Sequence, residues 1–262
     1  MFGRYSSENF SFRATFQWFL LAFLAGSVNV GGLLACGRFV SHVTGFATLF
    51  GVDALAGRWD AAIGILSVPI FFLLGSSIAA FLVDPQVSPG RRPNYALVMA
   101  LVALCLVMAS LGGYFSYFGE FGEPVRLKRD YFFLALLCGA SGLQNSAITL
   151  SSGFAVRSTH LTGTVTDLGI GVARAIAHSR NPKLRTQDMK AIWLKVGTFF
   201  SFALGGAAGA TVFEKAHFLG FLMPAGIAVY AMIVAFFTPA EGPGRSHRRV
   251  PRSIRDSIEV MP

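Results

Sequence analysis

Charged side chains are scarce in this 262-residue sequence. Asp, Glu, Lys and Arg together make up 13% of it, whereas a typical globular domain carries about 25%. Acids are the scarcest, with 13 Asp and Glu against 22 Lys and Arg, and hydrophobic residues fill 53% of the chain. This composition excludes a water-soluble enzyme domain, a disordered regulator and a nucleic-acid reader, whose basic residues would gather on one solvated face. It predicts an all-α polytopic membrane protein whose partner is the lipid bilayer.

Cysteine and the usual catalytic motifs are also sparse. The three cysteines lie in apolar runs without a C-x-x-C pair, which argues against a disulfide framework or a sulfur-bound metal. The sequence contains no G-x-S-x-G, H-E-x-x-H or P-loop pattern, the motifs of hydrolytic, zinc and nucleotide chemistry. His42 and His160 lack nearby carboxylates or thiols and make a poor metal site. We therefore expect no enzymatic activity, no cofactor, no metal site and no nucleic-acid partner.

Long apolar runs are what the sequence has in abundance. A membrane-crossing helix needs about 20 mostly apolar residues, and the runs of that length are residues 15–36, 61–83, 95–118, 131–150, 191–213 and 216–237. Two further stretches, residues 43–56 and 161–177, are helical in composition but shorter, and they contain Thr, Asp and Gly. The sequence thus predicts six clear transmembrane helices and two shorter helices that carry the motifs described below.

Basic residues predict the orientation, because Lys and Arg favour cytoplasmic loops. Arg4 and Arg13 precede the first run, and five arginines follow residue 241. Both termini are therefore predicted to be cytoplasmic, which requires an even number of crossings. There are eight crossings if the two short stretches cross the membrane and six if they are re-entrant. The distribution of basic residues does not decide between these arrangements.

The two halves of the chain resemble each other. Residues 26–29 match residues 142–145, each with Gly first and Asn last, and residues 41–45 match residues 159–163 through a shared H-x-T-G motif. A duplicated membrane unit forms its site at the interface between the repeats. The predicted division is a cytoplasmic N-terminal segment, residues 1–14; a first membrane half, residues 15–118; a basic loop, residues 119–130; a second membrane half, residues 131–237; and a basic cytoplasmic tail, residues 238–262.

These motifs resemble the YoaK family of bacterial membrane proteins, also described as DUF1275. The most specific part is Gln144-Asn145 followed by Arg-Ser-Thr-His-Leu-Thr-Gly-Thr at residues 157–164, and the similarity extends from about residue 15 to residue 237. Phe46 departs from the family pattern, which usually has Asn after the Gly of the first motif. The resemblance implies an integral protein of the bacterial inner membrane with six or seven spans that transports small molecules.

Polar residues of the two motifs form the candidate site. Ser41 and Thr159 are predicted to cap the short helices, whose first turns carry partial positive charge, and Arg38 and Arg157 add cations before the histidines. An anionic substrate is therefore expected. In the alternative interpretation these residues are structural: the Asn side chains hydrogen-bond between helices, and the His side chains cap a helix or pair with a neighbour. The Arg side chains then extend to an interface, and the Thr hydroxyls bond to carbonyls of their own helix. The candidate substrate-binding residues are Asn29, His42, Thr44, Thr48, Gln144, Asn145, Arg157, His160, Thr162 and Thr166.

One acid, Asp167, lies within the second short stretch. Acids at membrane depth are costly and commonly relay protons or balance a charge, so Asp167 is the candidate coupling residue. The alternative is an ion pair with Arg157 or Arg174. Asp53, in the first short stretch, is close in sequence to Arg58 and is expected to lie at an interface.

The leading hypothesis for function is a secondary transporter or facilitator for an unknown small molecule, with its site between the two H-x-T-G helices. A scaffold or sensor that acts through the basic tail is one alternative, because such a tail can bind anionic lipid. A passive channel lined by the short helices is the other. A homo-oligomer is left open.

Overall fold

The computed structural model describes residues 11–123 and 128–238, and within these ranges all regular secondary structure is helical. Arg4, part of the basic loop and the tail beyond residue 238 lie outside the described residues. Short 3₁₀ turns join α6 to α7 at His178–Arg180 and α7 to α8 at His217–Phe221. The α-helices are α1 (Phe12–Cys36), α2 (Val43–Leu55), α3 (Trp59–Val83), α4 (Tyr95–Tyr114), α5 (Lys128–Ser151), α6 (Leu161–Ala177), α7 (Pro182–Ala216) and α8 (Leu222–Phe237).

The helix lengths fit an integral membrane protein. Within the described part of the chain, five helical segments are long and apolar enough to cross a membrane, and the last of them is 56 residues long and holds both α7 and α8. At about 1.5 Å per residue that segment exceeds the length of one crossing. The five segments are Phe12–Cys36, Ala61–Val83, Tyr95–Tyr114, Tyr131–Ser151 and Pro182–Phe237.

The surface of α3 supports the same conclusion. It exposes a row of large apolar side chains, which a helix in water would bury but a helix facing lipid leaves outward. These exposed side chains are Ile63, Ile70, Leu73, Leu74, Ile78 and Phe81.

Three helix boundaries differ from the sequence prediction by more than three residues. One is the start of α8, at Leu222 rather than at residue 216, because the 3₁₀ turn His217–Phe221 precedes it. α4 ends at Tyr114 rather than at residue 118, because the chain turns at Ser116, whose φ of 60° is left-handed. α7 begins at Pro182 rather than at residue 191. There the Asn181 side chain accepts a hydrogen bond from the Leu184 backbone nitrogen at 3.3 Å, and proline fits the first helical position.

α1 packs on α7, and α3 packs on α5, through glycines that let the backbones approach closely. A Cβ atom on Gly26 would overlap the carbonyl oxygen of Phe202, and one on Gly142 would overlap the carbonyl oxygen of Phe72. Both pairs of helices are parallel, because contacts advance along the two helices together. The contacts that show this are Phe19 with Gly197, Phe23 with Gly205 and Ser27 with Gly209 for the first pair, and Gly64 with Tyr131 and Gly75 with Gly139 for the second.

α3 and α5 run opposite to α1 and α7. The Gly122 nitrogen donates a hydrogen bond of 2.9 Å to the Ala35 carbonyl, so the connection that leads into α5 lies at the end of α1. Phe133, near the start of α5, makes edge-to-face contacts with Phe218 and Phe221, which follow the end of α7. α5 therefore begins where α1 and α7 end, and α3, being parallel to α5, begins on that side as well.

α4 and α8 complete the bundle and pack on each other. α4 starts at the end of α3, where the Asn94 nitrogen donates to the Leu82 carbonyl at 3.0 Å. It finishes beside the turn before α8, since a Cβ atom on Gly113 would meet the ring of Phe218. α4 thus runs in the direction of α1, and α8 returns in the direction of α5.

Candidate functional site

Asn29 and Asn145 hold the chain segments that lead into the short helices. The Asn29 Oδ1 atom accepts hydrogen bonds from the Ser41 backbone nitrogen at 3.3 Å and from the Ser41 hydroxyl at 2.9 Å. In the second half, the Asn145 Oδ1 atom accepts from the Thr159 backbone nitrogen and the Ser158 hydroxyl, both at 3.3 Å. Each motif is thereby tied to a long helix about two turns before the end of that helix.

The predicted caps of the short helices are wrong by one residue. α2 and α6 begin at Val43 and Leu161, so their N-cap residues are His42 and His160, and neither cap makes a side-chain hydrogen bond. The Ser41 hydroxyl instead donates a hydrogen bond to Asn29. The backbone N–H groups in the first turns of both helices therefore have no side-chain acceptor from the cap residue.

The glycine of each H-x-T-G motif makes room for the histidine ring. The His160 ring folds back over the first turn of α6, so close that a Cβ atom on Gly163 would lie 2.5 Å from its Nδ1 atom. The His42 ring lies similarly over Gly45, where the corresponding distance would be 3.2 Å. The spacing of histidine and glycine thus fixes where each ring lies at the start of its helix.

This arrangement predicts that Gly163→Ala displaces the His160 ring while α6 stays folded. In the same helix, Gly169 has no atom within 4 Å of a built Cβ, so Gly169→Ala should raise helix stability by up to about 1 kcal/mol. The readouts are the melting temperature of the purified protein and the melting shift caused by small anions. We expect the shift to fall in Gly163→Ala and to persist in Gly169→Ala; equal shifts in both variants would contradict the role of the ring.

The two motifs line one cavity of about 1060 Å³. It lies between the halves of the chain, since α1, α3, α5, α7 and the starts of both short helices contribute to its wall. Phe72 and Phe202, which lie at the two close helix contacts, line it as well. The predicted site residues on its wall are Asn29, His42, Thr44, Asn145, Arg157, His160 and Thr162.

Three of the predicted site residues lie outside this cavity. The Thr48 hydroxyl donates to the Thr44 carbonyl at 3.3 Å and the Thr166 hydroxyl to the Thr162 carbonyl at 3.0 Å, as in the structural alternative. Gln144 is 1% exposed, and its side-chain amide donates to the Leu21 carbonyl. Gln144 therefore joins α5 to α1, whereas its neighbour Asn145 reaches the cavity.

Charge on the cavity wall comes from Arg157 and Asp84. Arg157 is exposed and has no hydrogen-bond or ion-pair partner in the described part of the chain. The Asp84 carboxylate, at the end of α3, accepts from the Gln86 nitrogen at 2.9 Å. The sequence analysis missed Asp84, although its place at the end of an apolar run is visible in the sequence. The free guanidinium is suited to a carboxylate or another planar oxyanion.

Asp167 is paired with Lys195, not with Arg157 or Arg174. The Lys195 Nζ atom lies 2.8 Å from the Asp167 Oδ2 atom. Lys195 was missed by the sequence analysis, yet a lysine inside the apolar run 191–213 is the kind of residue that marks a functional position. Asp53, by contrast, accepts a hydrogen bond from the Arg58 Nε atom at 3.0 Å. It lines neither the cavity between the two motifs nor a second, smaller cavity that lies beside Asp167.

The described residues hold no group of three or more His, Cys, Asp or Glu side chains arranged to bind a metal ion.

Comparison with known proteins assigns the chain to a family. No curated protein and no solved structure matches the chain. A family model described as "Protein of unknown function (DUF1275)" matches residues 17–234. The match covers most of the chain and both motifs, and the chain belongs to the DUF1275 family.

Proposed function

We propose that this protein is a secondary transporter or facilitator for a small anionic solute, which binds in the central cavity between the two H-x-T-G motifs. The observation that carries the proposal is the cavity of about 1060 Å³ whose wall contains His42 and Thr44 from one motif and His160 and Thr162 from the other. A mostly apolar cavity with a few polar groups, shared by two halves of a helical bundle, is typical of solute sites in transporters.

Inverted repeats form part of the proposal. The contact of Gly26 with Phe202 becomes that of Gly142 with Phe72 when each helix is exchanged for its counterpart in the other half. Asn29 and Asn145 bind the two motifs in the same way. Since α5 runs opposite to α1, the two halves have opposite orientations, which supports a pseudo-twofold axis in the membrane plane.

The helix directions favour six crossings over eight. α1 ends and α3 begins on the same side of the bundle, so α2 between them enters and returns. α2 has 13 residues and is about 20 Å long, which is shorter than the hydrocarbon core of about 30 Å. By the same argument α6 re-enters from the other side. The basic residues near the termini favour cytoplasmic ends, and the family resemblance supports a place in the bacterial inner membrane.

Electrostatics supports an anion as the solute. The first turns of α2 and α6 carry about half a positive charge each, and both face the cavity without a side-chain cap from the N-cap residue. Arg157 adds a full positive charge. Asp84 is the acid on the wall, so it offsets only part of this field. Half-helices that point their N-termini at an anionic group are a known solution in transporters.

The proposal is tested by uptake of radiolabelled formate, acetate, lactate, nitrate and phosphate into liposomes that contain the purified protein. We expect saturable uptake of at least one anion, and a loss of about tenfold or more in a His42→Ala/His160→Ala variant because both helix starts change. His178→Ala is the matched control, since His178 pairs with Asp188 at 2.7 Å and lines neither cavity discussed above.

Other outcomes of the same experiment would contradict the proposal. A current that does not saturate with anion concentration would indicate a passive channel. Uptake that is unchanged in the folded double variant would move the site away from the motifs. If no anion is taken up and a cellular role depends on the basic tail instead, the scaffold or sensor interpretation would replace transport.

A further inference from the structure

A second, smaller cavity lies beside the first, between α6 and α7. Its volume is about 240 Å³, and the charged or titratable groups on its wall are Arg157, His160, Asp167 and Lys195. Arg157 and His160 also line the central cavity, so the two cavities share these side chains. An anion held by Arg157 in the central cavity is therefore next to the Asp167–Lys195 ion pair.

The charged groups of this side cavity have no counterparts in the first half of the chain. In the alignment of the two motifs, Arg157 corresponds to Phe39 and Asp167 to Leu49. Gly205 of α7 corresponds to Gly75 of α3, and in the same register Lys195 corresponds to Ile65, which is 5% exposed. The first half of the chain folds with apolar side chains at the corresponding positions, so the fold itself does not require the ion pair.

The Asp167–Lys195 ion pair is partly exposed to solvent. The Asp167 side chain is 55% exposed and the Lys195 side chain 25% exposed, so protons reach the Asp167 side chain while most of the lysine side chain is covered. The Thr164 hydroxyl donates to the His160 carbonyl at 3.1 Å and the Thr198 hydroxyl to the Leu194 carbonyl at 2.8 Å. Neither hydroxyl therefore competes as a donor to Asp167.

We propose that Asp167 couples anion binding to the uptake of one proton, an inference that rests on the proposed function. When the anion binds, Lys195 leaves the Asp167 carboxylate and pairs with the anion. Asp167 then takes a proton from a hydronium ion of the solution: one O–H bond of the hydronium ion breaks, an O–H bond forms on the carboxyl group, and a neutral water molecule remains. One negative charge enters and one is neutralised, so the charge of the cavity is the same before and after. The protein thus carries one anion and one proton together, as an anion–proton symporter.

Other titratable groups near Asp167 are few in the described residues. From the chain before α6 come Arg157 and His160, and from α7 comes Lys195. Arg174 lies two turns further along α6 and does not line the cavity. The remaining pair on this side of the bundle is His178 with Asp188, at 2.7 Å from each other.

The test measures the affinity of the purified full-length protein for the same five anions between pH 6 and pH 8. We expect affinity to rise as pH falls, by up to about tenfold per pH unit for one coupled proton, and proton uptake from a weakly buffered solution on anion binding. Asp167→Asn mimics the protonated acid, so it should bind at pH 8 as tightly as the natural protein does at pH 6, without proton uptake. Asp53→Asn is the matched control and should keep the full pH dependence.

Each contrary result has a distinct meaning. Equal affinity at all pH values would overturn the coupling but leave the proposed function standing, whereas no binding of any of the five anions would overturn the proposed function itself. A pH dependence that persists in Asp167→Asn would assign the proton to another group and overturn the role of Asp167. Should Asp167→Asn fail to fold, Asp167→Ser, which also lacks the carboxylate and keeps Lys195 for the anion, must bind without proton uptake.

Discussion

Replacement of Arg157 by glutamine is expected to weaken anion binding by about 10- to 150-fold, because hydrogen bonds to charged groups contribute roughly 1.5–3 kcal/mol. Arg157 is the cation on the wall of the central cavity, and it has no partner among the described residues. Its guanidinium is therefore available to an anion without first breaking a bond within the protein. Isothermal titration of the purified variant with the tightest of the five anions measures the loss.

The matched control is Arg38→Gln. Arg38 precedes the first motif as Arg157 precedes the second, but it does not line the central cavity. We expect Arg38→Gln to bind anions like the natural protein. Both substitutions should leave the melting temperature nearly unchanged, since surface changes of this kind alter stability by about 0.5 kcal/mol or less. An equal loss of affinity in both variants would show that general charge, not the position of Arg157, attracts the anion.

Gly142→Ala is expected to cause the largest loss of stability, about 1–3 kcal/mol, because an added methyl group at a tight contact forces the backbones apart. Gly142 is buried, and its added Cβ atom would overlap the Phe72 carbonyl oxygen on α3. The overlapping atom belongs to a helix backbone and cannot rotate away as a side chain would. α3 and α5 must separate, which also disturbs the cavity wall formed by Phe72 and Asn145.

Gly139→Ala is the control for this prediction. Gly139 lies one turn earlier on α5, and the nearest atom to its built Cβ, the Phe71 carbonyl oxygen, is 4.0 Å away. Gly139→Ala should be neutral or slightly stabilising, because Ala favours helix more than Gly does. Melting temperatures in one detergent compare the variants, and Gly26→Ala, at the contact of α1 with α7, should behave like Gly142→Ala. If Gly142→Ala and Gly139→Ala have the same melting temperature, the close approach of α3 and α5 is wrong.

Much of the fold follows from the sequence by itself. Few charges and long apolar runs predict membrane helices, since a polypeptide backbone must satisfy its hydrogen bonds within a helix when water is absent. The short helices α2 and α6 were predicted because helical composition is a local property of the sequence. The family resemblance, which the family model confirms for DUF1275, rests on local motifs of the same kind.

Other features were decided only by the tertiary structure. Gln144 and Asn145 are neighbours in the sequence, yet one is buried against Leu21 and the other reaches the cavity, because adjacent helix positions point about 100° apart. Lys195 meets Asp167 only because α7 packs on α6. Local sequence determines which segments are helical. The directions of those helices, and so the cavity between the two motifs, depend on contacts between residues far apart in the chain.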